Sequence, residues 1–186
     1  MPFKLFANPF SPRQALEQGR ALYLAAALQA RTPAFYTDLG VADSPEGRFE
    51  LYALHLILVL HRLKGRGDEA AEISQSAFDA FVSNLDAALR DLNVGDLSVG
   101  KKMRKLGEAF YGRVRSYDAA LSALPDPAPL EALLTRTVFE GRLGPGAAAL
   151  ARYAAAAVST LDAAPFEDIR AARLPWPAVP SLESTS

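Results

Sequence analysis

The chain has 186 residues, enough for one domain with a real core and too few for two average domains. Half of its residues are hydrophobic, many of them alanine, and it has no cysteine, which excludes disulfides, thiolate catalysis and zinc–cysteine sites. A net charge of −1 excludes a chain that is basic or acidic as a whole, so an electrostatic partner has to be met by a local patch.

The opening MPFKLFANPFSPR holds too many prolines and polar residues for the apolar region of a signal peptide. The segment 21–30 follows Arg20 and ends in small residues, but Glu17, Gln18 and Gln29 weaken it as a cleaved signal. The better reading is a helix from Pro12 to Arg31, with proline at its first turn. Its acid-poor, amphipathic character suits packing on the domain first and a membrane surface second. Thr32 to Gly40 reads as a short helix entered through Thr32 and Pro33 and closed by glycine. Asp43-Ser44-Pro45-Glu46 opens a third helix by the same cap-then-proline logic. Its centre, LYALHLILVLHRL, is apolar almost all round, with Arg48, His55 and Arg62 as its one polar line. Such a helix belongs in the middle of a bundle, and its apolar run falls well short of the about 20 residues that cross a bilayer.

Asp68 caps an acidic helix that runs from Glu69 to Leu92. Asn93-Val94-Gly95-Asp96 then turns the chain into a basic helix ending near Leu124. Gly95 tolerates positive φ where the first helix stops, and Asp96 or Ser98 caps the second. In that second helix Val99, Met103, Leu106, Phe110, Val114, Tyr117 and Leu121 fall within an arc of roughly 80°. Asp68, Glu69, Glu72, Asp79, Asp86 and Asp91 crowd the first helix, whereas Lys101, Lys102, Arg104, Lys105, Arg113 and Arg115 crowd the second. Each charged ridge lies opposite its own apolar stripe, so both are expected to face outward rather than to pair with each other.

Pro125-Asp126-Pro127-Ala128-Pro129 is the clearest internal break. A short helix over 130–140 closes at Gly141, Gly144-Pro145-Gly146 introduces an alanine-rich helix over 147–163, and 166–173 adds a further turn or two. The proline-rich stretch from Leu174, with its Ser/Thr end, predicts a disordered or extended tail over 174–186. The expectation is all-α: one irregular bundle over residues 1–173, of about six to eight helices around a central apolar helix at 44–64.

Catalytic chemistry finds little support. His55 and His61 are the only histidines, and six residues of helix separate them by about 240°, so they cannot share a metal from one face. His55 reads as a polar-edge residue, His61 as a tolerated or hydrogen-bonded one. Glu72, Asp79 and Asp86 share a face, but their seven-residue steps hold them about 10 Å apart on a solvated surface. There is no H-E-x-x-H, no Gly-rich phosphate loop and no G-x-S-x-G elbow, so no catalytic residue, metal or cofactor is expected.

The basic ridge is either an ordinary solvated face, partly neutralised by Glu108, or a docking surface for RNA phosphates or lipid headgroups. Tyr111, outside the apolar arc among the basic side chains, favours docking. Gly107 and Gly112 leave low spots that could permit close approach. The alternative class is a helical nucleic-acid-binding or regulatory module using the basic helix 98–121, marked by a steep salt dependence.

The stretch NLDAALRDLNVGDLSVGKKMRKLGEAFYGRVRSY resembles the core of the ubiquinol–cytochrome c chaperone family, the assembly factors for cytochrome b of respiratory complex III. The upstream run RTPAFYTDLGVADSPEGRFELYALHLILVLHRLKG is similar to the same family. The resemblance spans residues 21–140. Its most specific pieces are Val94-Gly95-Asp96-Leu97, Lys101 with Lys105, and Ala109-Phe110-Tyr111-Gly112-Arg113. It implies an all-helical, non-enzymatic protein that binds newly made cytochrome b, with the ribosome exit region or an anionic membrane surface as a further partner and no DNA. With no evident transit peptide and a bacterial look, it implies cytoplasmic residence, peripheral at the inner face of the membrane. The client site is expected near Phe110 and Tyr111. Two departures stand out: His61 occupies a position where a basic residue is expected, and the extension over 145–173 matches nothing placed in the family.

Overall fold

The computed structural model describes residues 11–91 and 96–182, with side chains from Val99 onward in the second stretch. Every regular element among them is a helix. In chain order these are α1 (Pro12–Ala30), α2 (Ala34–Thr37), α3 (Pro45–Leu63), α4 (Asp68–Asp91), α5 (Asp96–Ser122), α6 (Ala128–Thr137), α7 (Pro145–Ala163) and α8 (Phe166–Arg170). Their starts follow local chemistry. Ser11 and Gln14 form a reciprocal capping box ahead of Pro12. Ser44 accepts from the Gly47 amide at 3.1 Å, with Pro45 as the first helical residue of α3. The turn expected at Asn93-Val94-Gly95 lies outside the described residues. Asp96 opens α5.

The central position expected of the third helix holds. Packed on by α1, α4, α5 and α7, α3 buries Leu51, Leu54, Leu56, Leu58 and Leu63 almost completely. Its polar line corrects one expectation. His55 is not at an edge; it is fully buried. Its Nδ1 lies 2.8 Å from the Leu51 carbonyl, which can only accept, so that nitrogen carries the proton. The Tyr153 hydroxyl of α7 then donates to Nε2 at 3.0 Å, and accepts from Gln29 of α1 at 3.0 Å. One chain of hydrogen bonds therefore ties α1, α3 and α7 together. One heptad on, Arg62 donates to the Leu161 and Ala164 carbonyls at the C-terminal end of α7, where helical partners run out.

The partner of α4 is a second finding. Although α5 is next after α4 in the chain and the two touch, α4 packs more extensively along α1. Small residues set that contact: a Cβ on Gly19 would lie 2.4 Å from the Ser76 Cβ and 2.6 Å from the Ala77 nitrogen. Only glycine lets the two backbones come this close. Packing of α4 on the main core reaches as far as Leu85. Over 99–109 of α5 only Val99 is buried, and it stands outside that core. The paired ends 86–91 and 96–109 thus form an arm, about 20 Å of α5 that the body does not cover.

Of the tail expected to be disordered or extended over 174–186, residues 183–186 lie outside the described residues. Residues 174–182 have no regular secondary structure, and Leu174, Trp176, Val179 and Leu182 pack against the core. The Trp176 ring meets His55 edge-on at 5.2 Å. The region after Gly141 is equally integral, since α7 lies on α3 and α6 and buries Leu150, Tyr153 and Leu161.

Candidate functional site

An apolar stripe sends one side of α5 into the body, and the flank of that stripe forms a wall. Facing it are the C-terminal end of α3 and the start of α4, and between them runs a groove of about 480 Å³. Ile57 and Leu60 of α3, Phe78 of α4, and Phe110, Tyr111 and Val114 of α5 line it. Phe110 is buried, its ring 5.2 Å from Phe78 and 4.8 Å from Phe81. Tyr111 lies 59% exposed, 5.4 Å from Phe78. The two aromatics expected as a client site are thus brought together, in different roles: Phe110 is floor and Tyr111 is open wall. Sequence periodicity placed Phe110 on the core stripe, and only the structure adds that the groove reaches it.

Polar groups edge the groove at one end. Lys64 donates to both carboxylate oxygens of Asp118, at 2.7 and 2.9 Å, and His61 Nδ1 lies 3.9 Å from the same carboxylate. Arg115 stands on the rim beside Tyr111. It also belongs to the basic ridge, so ridge and groove share an edge.

Lys101, Lys102, Arg104, Lys105 and Arg115 are all exposed, as a ridge requires. Arg113 is a correction. Its guanidinium makes a bidentate pair with Glu50 of α3, at 2.8 and 2.6 Å, and is largely withdrawn from solvent. The hydrogen bonds to that carboxylate raise the pKa of Arg113 above its ordinary value. The reason is angular: Arg113 lies about 20° beyond the edge of the apolar stripe, close enough to turn inward with it. Glu50, which receives it, went unremarked in the sequence because nothing local marks a lone acid on an apolar helix as a partner. The low spots expected at Gly107 and Gly112 are open, with nothing placed where a Cβ would reach.

Burial lowers the pKa of His55 to about 4, against the opposing hydrogen bond to Leu51, and the ring stays neutral in the fold. The same desolvation raises the Tyr117 and Tyr153 hydroxyls above their usual range. These groups are enclosed by the body and do not line the groove. Among the described residues no cluster of His, Asp and Glu could hold a metal ion, and no helix is long and apolar enough to cross a membrane.

A family model for ubiquinol–cytochrome c chaperones matches residues 37–176. Against the 21–140 expected from resemblance, the match begins later, at 37, and runs further, taking in α7 and α8, so the C-terminal helices are part of the family's module. The crystal structure of the Cbp3 homolog from Brucella abortus is similar over 90% of this chain and 92% of that one, with 34% sequence identity and a TM-score of 0.80. No curated protein matches this chain.

Proposed function

From the premise that this chain belongs to the ubiquinol–cytochrome c chaperone family, we propose that its client within complex III assembly is newly made cytochrome b, held at the groove beside Tyr111. The observation that carries this reading is the position of the groove. An apolar trough bordered by Phe110, Tyr111 and Val114 opens at the edge of a basic ridge. A hydrophobic client outside its bilayer exposes surface that costs about 25 cal/mol per Å² to keep in water, and a trough of this kind shields part of it. Lys101, Arg104 and Lys105 would hold the complex at the anionic surface where such a client is made or inserted, through phosphates of ribosomal RNA or lipid headgroups. The protein's place is then cytoplasmic and peripheral, at the inner face of the membrane. The role is one of holding rather than catalysis.

The test is a photo-crosslinking residue at position 111, with a second at Leu143 on a distant exposed surface as control. Crosslinks to cytochrome b from position 111 alone support the groove. Crosslinks from Leu143 alone, or unchanged complex III content after deletion of the gene, overturn the reading. For the ridge, Lys101→Glu/Lys105→Glu should lose ribosome or liposome co-sedimentation at low salt, and undiminished binding would sink that assignment.

A further inference from the structure

The face of α1 that turns away from α4 carries Leu24 at 61% and Leu28 at 72% exposed, with Leu16 at 48%. These are three of the few large hydrophobic side chains that the described surface leaves in water. Arg13, Arg20 and Arg31 are exposed on the same face, and all six fall within roughly 120° of the helix circumference. The face is a continuous band about 27 Å long in which leucines and arginines interleave. The two ends are positioned: Arg13 is paired with Glu17 at 3.0 Å, and Arg31 donates to the Tyr52 hydroxyl at 2.8 Å. Glu17, the only acid on α1, lies within the same arc and offsets Arg13, so the net positive charge of the face rests on Arg20 and Arg31.

Core packing does not account for this arrangement, because the adjoining face of α1, with Ala15, Gly19, Leu22, Tyr23, Ala26, Ala27 and Ala30, is the one buried against the body. Helices that lie in a membrane interface combine these features: apolar side chains that enter the headgroup–acyl boundary, and cations beside them that meet phosphates. Leu24 and Leu28 are one helical turn apart and would enter together. Arginine is the apt cation, since its planar fork meets a phosphate through two hydrogen bonds.

We infer that the outer face of α1 is a lipid-docking surface that lays the protein flat on an anionic phospholipid membrane. This rests on the peripheral residence proposed above, but needs neither the basic ridge of α5 nor the groove. Charge complementarity selects the partner: cations and leucines on one face fit a surface of phosphatidylglycerol-type headgroups over acyl chains, and fit neither a neutral bilayer nor a purely polar polyanion as well.

The test is flotation of the full chain with vesicles of phosphatidylglycerol mixed with phosphatidylcholine, and with vesicles of phosphatidylcholine alone. Leu24→Ser/Leu28→Ser should weaken binding to the anionic vesicles at least about tenfold, because two leucines lose their acyl contacts. Arg20→Glu should weaken it severalfold, with a shallower salt dependence. All three positions are exposed, so unchanged circular dichroism and melting are expected. Wild-type binding by the leucine variant overturns the inference, as does equal binding to neutral vesicles. Lys101→Glu/Lys105→Glu separates the two surfaces. If that variant alone abolishes flotation, the lipid surface is the ridge and this inference fails while the proposed ridge stands. If the leucine variant loses flotation while crosslinking from position 111 to cytochrome b persists, α1 carries lipid docking and the client site is independent of it.

Discussion

The body of the molecule and the arm at the end of α4 and α5 are built from the same kind of amphipathic helix, yet they solve packing differently. In the body, α3 is enclosed on several sides, glycine and alanine let α1 close on α4, and three buried polar side chains of α3 find a partner on another helix: His55 with Tyr153, Arg62 with the end of α7, Glu50 with Arg113. In the arm, Met103 and Leu106 are only half-buried, and the exposed side is given over to Lys101, Lys102, Arg104 and Lys105. An amphipathic pattern therefore says that a helix has a buried side, but not how much of the molecule stands behind it. The body spends its apolar surface on itself. The arm and the groove at its base keep some in reserve, which is what the proposed holding of a hydrophobic client requires.

The contrast breaks if the two regions respond alike to truncation. Leu54→Ala, inside the body with no exposed surface, should destabilise by about 3–4 kcal/mol in urea unfolding, whereas Leu106→Ala in the arm should cost less than about 1 kcal/mol. Comparable losses would mean the arm is as tightly bound to the core as α3.

A sharper test uses pH. Below 6.5 the unfolded chain protonates His55, while the folded protein keeps it neutral until about pH 4. The unfolded state therefore binds the extra proton in that window. Stability falls as pH drops through it, by up to about 3 kcal/mol, and levels off below. His55→Gln should remove this component from the stability curve, leaving the carboxylate contributions that wild type and variant share. Arm variants should leave the slope untouched. A wild-type slope no steeper than that of His55→Gln would show that the ring is not held neutral.

The smallest effect separates two arginines of one helix. Arg113→Ala leaves Glu50 buried without its partner and should cost about 2 kcal/mol, less than a fully buried pair because the guanidinium is partly solvated. Arg115→Ala should change stability by no more than about 0.5 kcal/mol. Equal costs would return Arg113 to the ridge.

Most of this architecture was legible in the chain. Ser11-Pro12, Ser44-Pro45 and the glycines that follow the early helices punctuate it strongly, and LYALHLILVLHRL declares a central helix because no face of it is fit for water. What the sequence withheld depends on crossings between helices. Gly19 drew no notice, although it is where α1 and α4 come closest, while Gly107 and Gly112 drew notice and approach nothing. The inward turn of Arg113 needed Glu50 on another helix, 63 residues away, to be facing it. The packed tail was hidden because Leu174, Trp176, Val179 and Leu182 have neither helical nor strand spacing. Only a core already assembled, such as His55 of α3 beneath Trp176, gives them something to rest on. At the candidate site, Phe110 and Tyr111 were visible as an aromatic pair, but the groove exists only because α3 ends at the Gly65–Gly67 loop and leaves α4 and α5 apart there.

Trp176 is the chain's only tryptophan, and it rests on His55 at the middle of the body. The protein thus carries one tryptophan reporter of its own, placed where the tail crosses α3 and not among the residues that line the groove. Its emission will follow global unfolding and the release of residues 174–182, and is expected to be silent when the arm frays or when the proposed client occupies the groove. Loading can then be read by a dye attached to the arm, with the native tryptophan recording, in the same sample, whether the scaffold beneath has remained intact.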